Sequence, residues 1–133
     1  MRTLGLLCII LVLGISFSCQ DSKKTASTLV TSEEMKEIMT LDSIQLIDVR
    51  SLQEFREGHL EGAQNLVYDN EFVHKISQLD KDKPVAVYCR TGRRSEKCSS
   101  ILKKAGFKKI YQLKGGLTKW KYNGELVKDT LLQ

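Results

Sequence analysis

Apolar positions along this chain change their spacing again and again, from continuous or alternating runs to intervals of three and four, and each change marks an element. Thr31-Ser32-Glu33-Glu34 has the spacing of a capping box, and Met35, Ile38 and Met39 behind it predict a short amphipathic helix. Gln45 to Val49 reads as a strand. Ser51-Leu52-Gln53-Glu54 repeats the capping spacing for a brief helix to Glu57, followed by a loop over Gly58-His59-Leu60-Glu61-Gly62-Ala63 and a short strand from Gln64 to Val67. Phe72, Val73, Ile76 and Leu79 are expected on one face of a helix that stops at the turn Asp80-Lys81-Asp82-Lys83-Pro84. Val85-Ala86-Val87-Tyr88 is continuously apolar, β-branched at alternate places and too short for a buried helix, which predicts a central strand. From Ser95 the period changes: Cys98, Ile101, Leu102 and Ala105 recur at helical spacing, with Gly106 as the stop. Lys109 to Leu113 reads as a last strand, Gly115-Gly116 as a turn, and Leu117 to Tyr122 as a short helix carrying Trp120. Strands alternating with helices predict an α/β domain with a mostly parallel sheet over residues 29–133.

The N-terminal run has a different character. Met1, Arg2 and Thr3 form a short positive region, and the residues from Leu4 to Phe17 carry no charge. A spanning helix needs about 20 apolar residues, so residues 1–18 read as a secretory signal peptide. Ser16 and Ser18 suit an ordinary signal peptidase. Ser18-Cys19 also resembles the lipobox of bacterial lipoproteins, with Ser16 standing where the usual lipobox carries Leu; that resemblance implies that Cys19 becomes the lipid-modified N-terminus. Both routes cut before Cys19. Residues 19–28, polar and without apolar periodicity, are the expected tether, and the protein is expected to be exported to the periplasm or cell envelope and held to a bacterial membrane by the lipid on Cys19. Of the four cysteines, Cys8 is expected to leave with the signal and Cys19 to be acylated. Cys89 and Cys98 remain, which supports no disulfide framework.

Composition adds bounds. With 133 residues, 41% hydrophobic, 28% charged and one Pro, the chain has room for one ordinary domain, and coiled-coil, collagen-like and disordered classes are excluded. The net charge of +5 raises the question of polyanion binding, and its distribution answers it: residues 20–80 carry a net −6, residues 81–121 a net +11 and residues 122–133 a net −1. Lys103, Lys104, Lys108 and Lys109 read as a solvated helix face and turn. The chain reads as exported and its basic half is expected to lack exposed aromatics interleaved with the charge, so nucleic acid is not an expected partner.

Arg90, Arg93 and Arg94 are different, because all three cluster on Cys89. Cys89-Arg90-Thr91-Gly92-Arg93-Arg94 lies between a strand's C-terminal end and a helix, where open parallel sheets carry their sites. Backbone N–H groups of such a loop converge into an anion nest, and Gly92 permits a positive φ or close approach of a ligand. With the helix N-terminus and three arginines nearby, Cys89 is expected to ionise below the free thiol value of about 8.5 and to act as a nucleophile. Cys98 sits on an apolar helix face and reads as core. His59 and His74 have no Cys or Asp at ligand spacing, so no metal is expected. Trp120 reads as a core anchor.

Two chemistries use a cysteine cradled in this way, persulfide transfer and phosphate-ester hydrolysis. Thiol-based phosphatases resemble Cys-X5-Arg; here the spacing is Cys-X4-Arg and Ser95 holds the next position, a smaller ring that suits one terminal sulfur. The ordered set Asp48-Val49-Arg50, Glu54-Phe55, Gly58 to Ala63 with Asn65, Cys89 to Ser95, Gly106-Phe107, Gly115-Gly116 and Trp120 resembles the rhodanese family of single-domain sulfurtransferases from about Leu29 onward. The resemblance implies a parallel five-stranded sheet flanked by helices on both faces, a persulfide on Cys89, and an anion loop of Arg90, Thr91, Gly92, Arg93, Arg94 and Ser95. It also implies that the Asp-Val-Arg and Gly-His motifs are mainly structural. The expected activity moves a sulfane sulfur from thiosulfate or a related small anion to cyanide, a thiol or a protein cysteine, with no cofactor. A non-catalytic rhodanese-like binding or sulfur-relay module is the alternative; such modules usually lack the cysteine that this chain keeps.

Overall fold

Both capping boxes close as their residue types require. The Thr31 hydroxyl accepts from the Glu34 N–H at 3.3 Å while the Glu34 carboxylate accepts from the Thr31 N–H at 2.7 Å, opening α1 (Ser32–Ile38). Ser51 and Glu54 make the same exchange at 3.2 and 3.0 Å at the head of α2 (Leu52–Glu57). The computed structural model describes residues 25–129. The expected signal peptide and Cys19 lie outside the described residues.

Five strands, β1 (Ala26–Val30), β2 (Gln45–Asp48), β3 (Gln64–Asn65), β4 (Val85–Tyr88) and β5 (Lys109–Leu113), pair in the order β1-β5-β4-β2-β3, every pair parallel. Side chains alternate across the sheet. On one face Ile47, Val49, Val85, Val87, Cys89 and Ile110 meet Phe72 and Ile76 of α3 (Phe72–Ile76) and Cys98 and Leu102 of α4 (Arg93–Lys104). On the other face Leu46, Ala86, Tyr88 and Leu113 meet Met35 of α1, Leu60 and Trp120. Covering both faces explains why β4, at the centre, is buried throughout. The expected α/β architecture with a five-stranded parallel sheet is the one observed.

The structure corrects several boundaries. β1 begins at Ala26, so the tether expected through Thr28 yields its last residues to the sheet. Ser27 and Thr28 are exposed polar residues on an edge strand whose place is set by main-chain pairing with β5, so no apolar alternation announces it. β3 ends at Asn65 rather than Val67. In α3 the side chains of Phe72 and Ile76, four apart, point inward, while Val73 is 63% exposed and leaves the apolar face assigned to it. α4 starts at Arg93, two residues before Ser95, because Gly92 takes the left-handed region at φ 97° and turns the chain directly into the first helical turn. The last expected helix is a 3-10 turn over Gly116–Lys119, and Trp120 is already extended. Trp120 is buried, as a core anchor should be.

Candidate active site

Parallel pairing brings the C-terminal ends of all five strands to one edge of the sheet, and Cys89 follows β4 there, between β5 and β2. It is fully buried. The chain leaves the strand, passes Arg90 and Thr91, and reverses at Gly92 into α4. That reversal aims donors back at the sulfur: the Gly92 N–H reaches Cys89 Sγ at 3.1 Å and the Ser95 N–H at 3.5 Å, with Ser95 Oγ also 3.5 Å away. Burial is the largest single influence on the Cys89 thiol and opposes its ionisation. Hydrogen bonds from the Ser95 hydroxyl and from the amides of Ser95, Gly92 and Thr91 together outweigh it and hold the thiol below its ordinary value.

The expected direction is therefore found, with the expected loop amides and the Ser95 hydroxyl as its causes rather than the arginines. Arg90 and Arg93 are exposed and make no ion pair among the described residues. Arg94 forks onto Glu54 at 2.7 and 2.9 Å, joining the first turn of α4 to α2. Hydrogen bonds from Arg94 are the main reason the Glu54 carboxyl is held down to about 2. The arginines thus frame the loop, and its amides together with the Ser95 hydroxyl supply the donors on the sulfur. Thr91, Gly92, Arg93, Lys114 and Gly115 help to line a cavity of about 290 Å³ beside it.

The loop is held from behind by the turn after β5. Leu117 N–H donates to the Cys89 carbonyl and Thr118 N–H to the Arg90 carbonyl, both at 3.0 Å. Gly116 makes this approach possible: with φ at 60°, a Cβ there would lie 2.5 Å from both carbonyl oxygens. Sequence reasoning read Gly115-Gly116 as a turn and missed this clamp. It also missed Gln112, a buried amide on β5 whose Nε2 donates to the Gly92 carbonyl at 3.3 Å.

The flanking motifs are structural. Arg50 donates from Nε and Nη2 to the Asp48 carboxylate at 2.7 to 3.1 Å, and from Nη2 to the Gly58 carbonyl at 2.7 Å. Asn65 Nδ2 donates to the carbonyls of Asp48 and Arg50. His59 stacks on Phe55 with ring centroids 3.7 Å apart, and its Nδ1 lies 2.8 Å from the Phe55 carbonyl, so it serves the loop's shape. His74 is exposed. Cys98 is buried in the core, and burial, then the charge of Cys89, pushes its thiol up to about 12.

Comparison with known proteins finds a match to the rhodanese-like domain over residues 31–123. An uncharacterized protein, YqhL of Bacillus subtilis, is 42% identical over 76 residues, which cover 57% of this chain and 60% of that one. The thiosulfate sulfurtransferase GlpE of Shewanella oneidensis is 38% identical over 78 residues, 59% of this chain and 76% of that one. Among solved structures, a rhodanese-like domain protein from Staphylococcus aureus superposes with a TM-score of 0.67 at 21% identity, over 77% of this chain and 99% of that one.

Proposed function

From the chain's membership of the rhodanese-like domain family we propose that it transfers a sulfane sulfur through a persulfide on Cys89, from thiosulfate or a related small anion to a thiophilic acceptor. One observation carries this reading: Cys89 Sγ lies fully buried within a ring of amide and hydroxyl donors that favours its thiolate. The thiolate attacks the outer sulfur of the donor, the donor's S–S bond breaks, and sulfite departs with the bonding pair. Cys89 then carries one extra sulfur, whose negative charge meets the same donors. A cyanide ion, a thiolate or a protein cysteine attacks that terminal sulfur, and the Cys89 thiolate leaves. The cavity beside the loop, with Arg93 and Lys114 in its wall, gives a small anion a place to approach.

Incubation of the protein with thiosulfate alone raises its intact mass by one sulfur atom, and peptide mapping under non-reducing conditions places that atom on Cys89. A mass unchanged by the donor instead supports a non-catalytic binding module. Export and lipid anchoring at Cys19 complete the proposal. Fatty-acid label is incorporated by the wild-type chain in cells and lost in Cys19→Ala; an unlabelled wild type marks an ordinary secreted protein.

A further inference from the structure

Three hydrogen-bond donors converge on the carbonyl oxygen of Gly92: the Glu96 N–H at 3.0 Å, the Ser95 hydroxyl at 3.1 Å and Gln112 Nε2 at 3.3 Å. A carbonyl oxygen has two lone pairs, so this set holds one donor more than it needs. The Glu96 N–H is fixed by the helix. Gln112 is fixed by its own partner, because the Ser99 hydroxyl donates to Gln112 Oε1 at 3.3 Å and both residues are buried. Only the Ser95 hydroxyl is free to rotate, and it stands 3.5 Å from Cys89 Sγ.

The two protonation states of Cys89 need different arrangements of that hydroxyl. As a thiol, Cys89 donates its S–H to Ser95 Oγ, and Ser95 donates onward to the Gly92 carbonyl. When the thiol proton is lost to solvent, Sγ can only accept, and the Ser95 O–H must turn from the carbonyl to the sulfur. Without a second fixed donor on the Gly92 oxygen, that turn would leave a lone pair unfilled within the loop.

We propose that Gln112 is a positioning residue for the sulfur site: by occupying the Gly92 carbonyl from β5, it releases the Ser95 hydroxyl to donate to Cys89 Sγ when the thiol ionises. This rests on the reading of Cys89 as the reacting thiolate. Other charges near the sulfur are left in place by changes at Gln112. They are Arg94, whose guanidinium is raised first by the hydrogen bonds it donates to Glu54 and also by the charge of Cys89, the Asp48 and Glu54 carboxylates that interact with Arg94, the exposed Arg90 and Arg93, and the thiol of Cys98.

The test is the pH midpoint of iodoacetamide alkylation at Cys89, read by mass mapping in the absence of any sulfur donor. Gln112→Met, of similar volume and without a donor, raises the midpoint by about 0.5 to 1 pH unit, the range that the net worth of one hydrogen bond allows. Ser95→Ala raises it too, and in the Ser95→Ala background Gln112→Met adds no further shift, because the hydroxyl through which it acts is gone. A purely structural role would move the midpoint equally in both backgrounds. Equal shifts, or a Gln112→Met midpoint identical to wild type, overturn the proposal. If circular dichroism shows Gln112→Met to be unfolded, Ser99→Ala, which loosens the amide without emptying its site, is read the same way: an upward shift supports the proposal and an unchanged midpoint overturns it. Alkylation needs no sulfur transfer, so a chain that fails to take sulfur from thiosulfate but shows these shifts refutes the functional reading alone.

Discussion

Cys89→Ser abolishes the transfer of sulfur from thiosulfate to cyanide, lowering turnover by at least about a thousand-fold, and the one-sulfur mass increase disappears with it. The substitution keeps the side chain's length and its ability to accept from the Gly92 and Ser95 amides, so the fold should survive and a thermal unfolding midpoint near wild type is the control. What is lost is chemical. A serine hydroxyl at neutral pH stays protonated, and among the described residues the groups within hydrogen-bond distance of this atom are the Gly92 and Ser95 amides and the Ser95 hydroxyl, none of them a base. Cys98 offers no substitute nucleophile. It is buried on the core side of α4, and its thiol is pushed up to about 12. Thiocyanate formation undiminished in Cys89→Ser would therefore overturn the assignment of the nucleophile and with it the persulfide route.

What makes the sulfur reactive was only half legible in the sequence. Cys89 could be placed between a strand end and a helix because Val85 to Tyr88 and Cys98 to Ala105 have unmistakable periods, and Gly92 could be picked as the residue that lets the loop reverse. Converging loop amides were expected together with the charge of three arginines; the amides do reach the sulfur, joined by the Ser95 hydroxyl, whereas the arginines do not supply its hydrogen bonds. Amide directions depend on the dihedral angles of Gly92 and the early start of α4, which no composition reports. Arg94 is drawn to Glu54 across forty residues of sequence, a partnership that local spacing cannot show. Gln112 is harder still. In Lys109 to Leu113 it is one polar residue in a strand, and nothing nearby says that its amide is buried or that it faces the loop. Edge strand β1 was missed for a related reason: its pairing is main-chain pairing, with exposed Ser27 and Thr28 giving no apolar signal. Local hydrogen bonds written into residue types, such as the two capping boxes, were read correctly, and contacts made by topology were not.

Asp48→Ala destabilises the fold by about 3 to 5 kcal/mol, a large share of the roughly 5 to 15 kcal/mol that holds a domain of this size. Asp48 is fully buried and the Arg50 side chain is only 8% exposed. Burial works against the Arg50 charge, and the hydrogen bonds and charge of Asp48 more than reverse it, leaving the guanidinium raised. Removing the carboxylate strands that charge with the Gly58 carbonyl and the nearby Tyr88 ring, whose centroid lies 5.8 Å from the guanidinium carbon. Urea unfolding monitored by fluorescence of Trp120 measures the loss. The cost comes from the unpaired charge rather than from the pair's own worth, so Asp48→Ala combined with Arg50→Met should recover much of it. A double variant no more stable than Asp48→Ala alone would show that the carboxylate's other bond, accepted from the Arg50 N–H at 2.9 Å, dominates instead. The same ion pair reaches the site through the backbone. The Val49 N–H donates to the Tyr88 carbonyl at 3.1 Å, immediately before Cys89, and the Tyr88 hydroxyl accepts from the Leu60 N–H at 3.0 Å. Loss of Asp48 thus loosens β4 where it delivers the nucleophile, and in residual folded Asp48→Ala the alkylation midpoint of Cys89 should rise as its donors lose alignment.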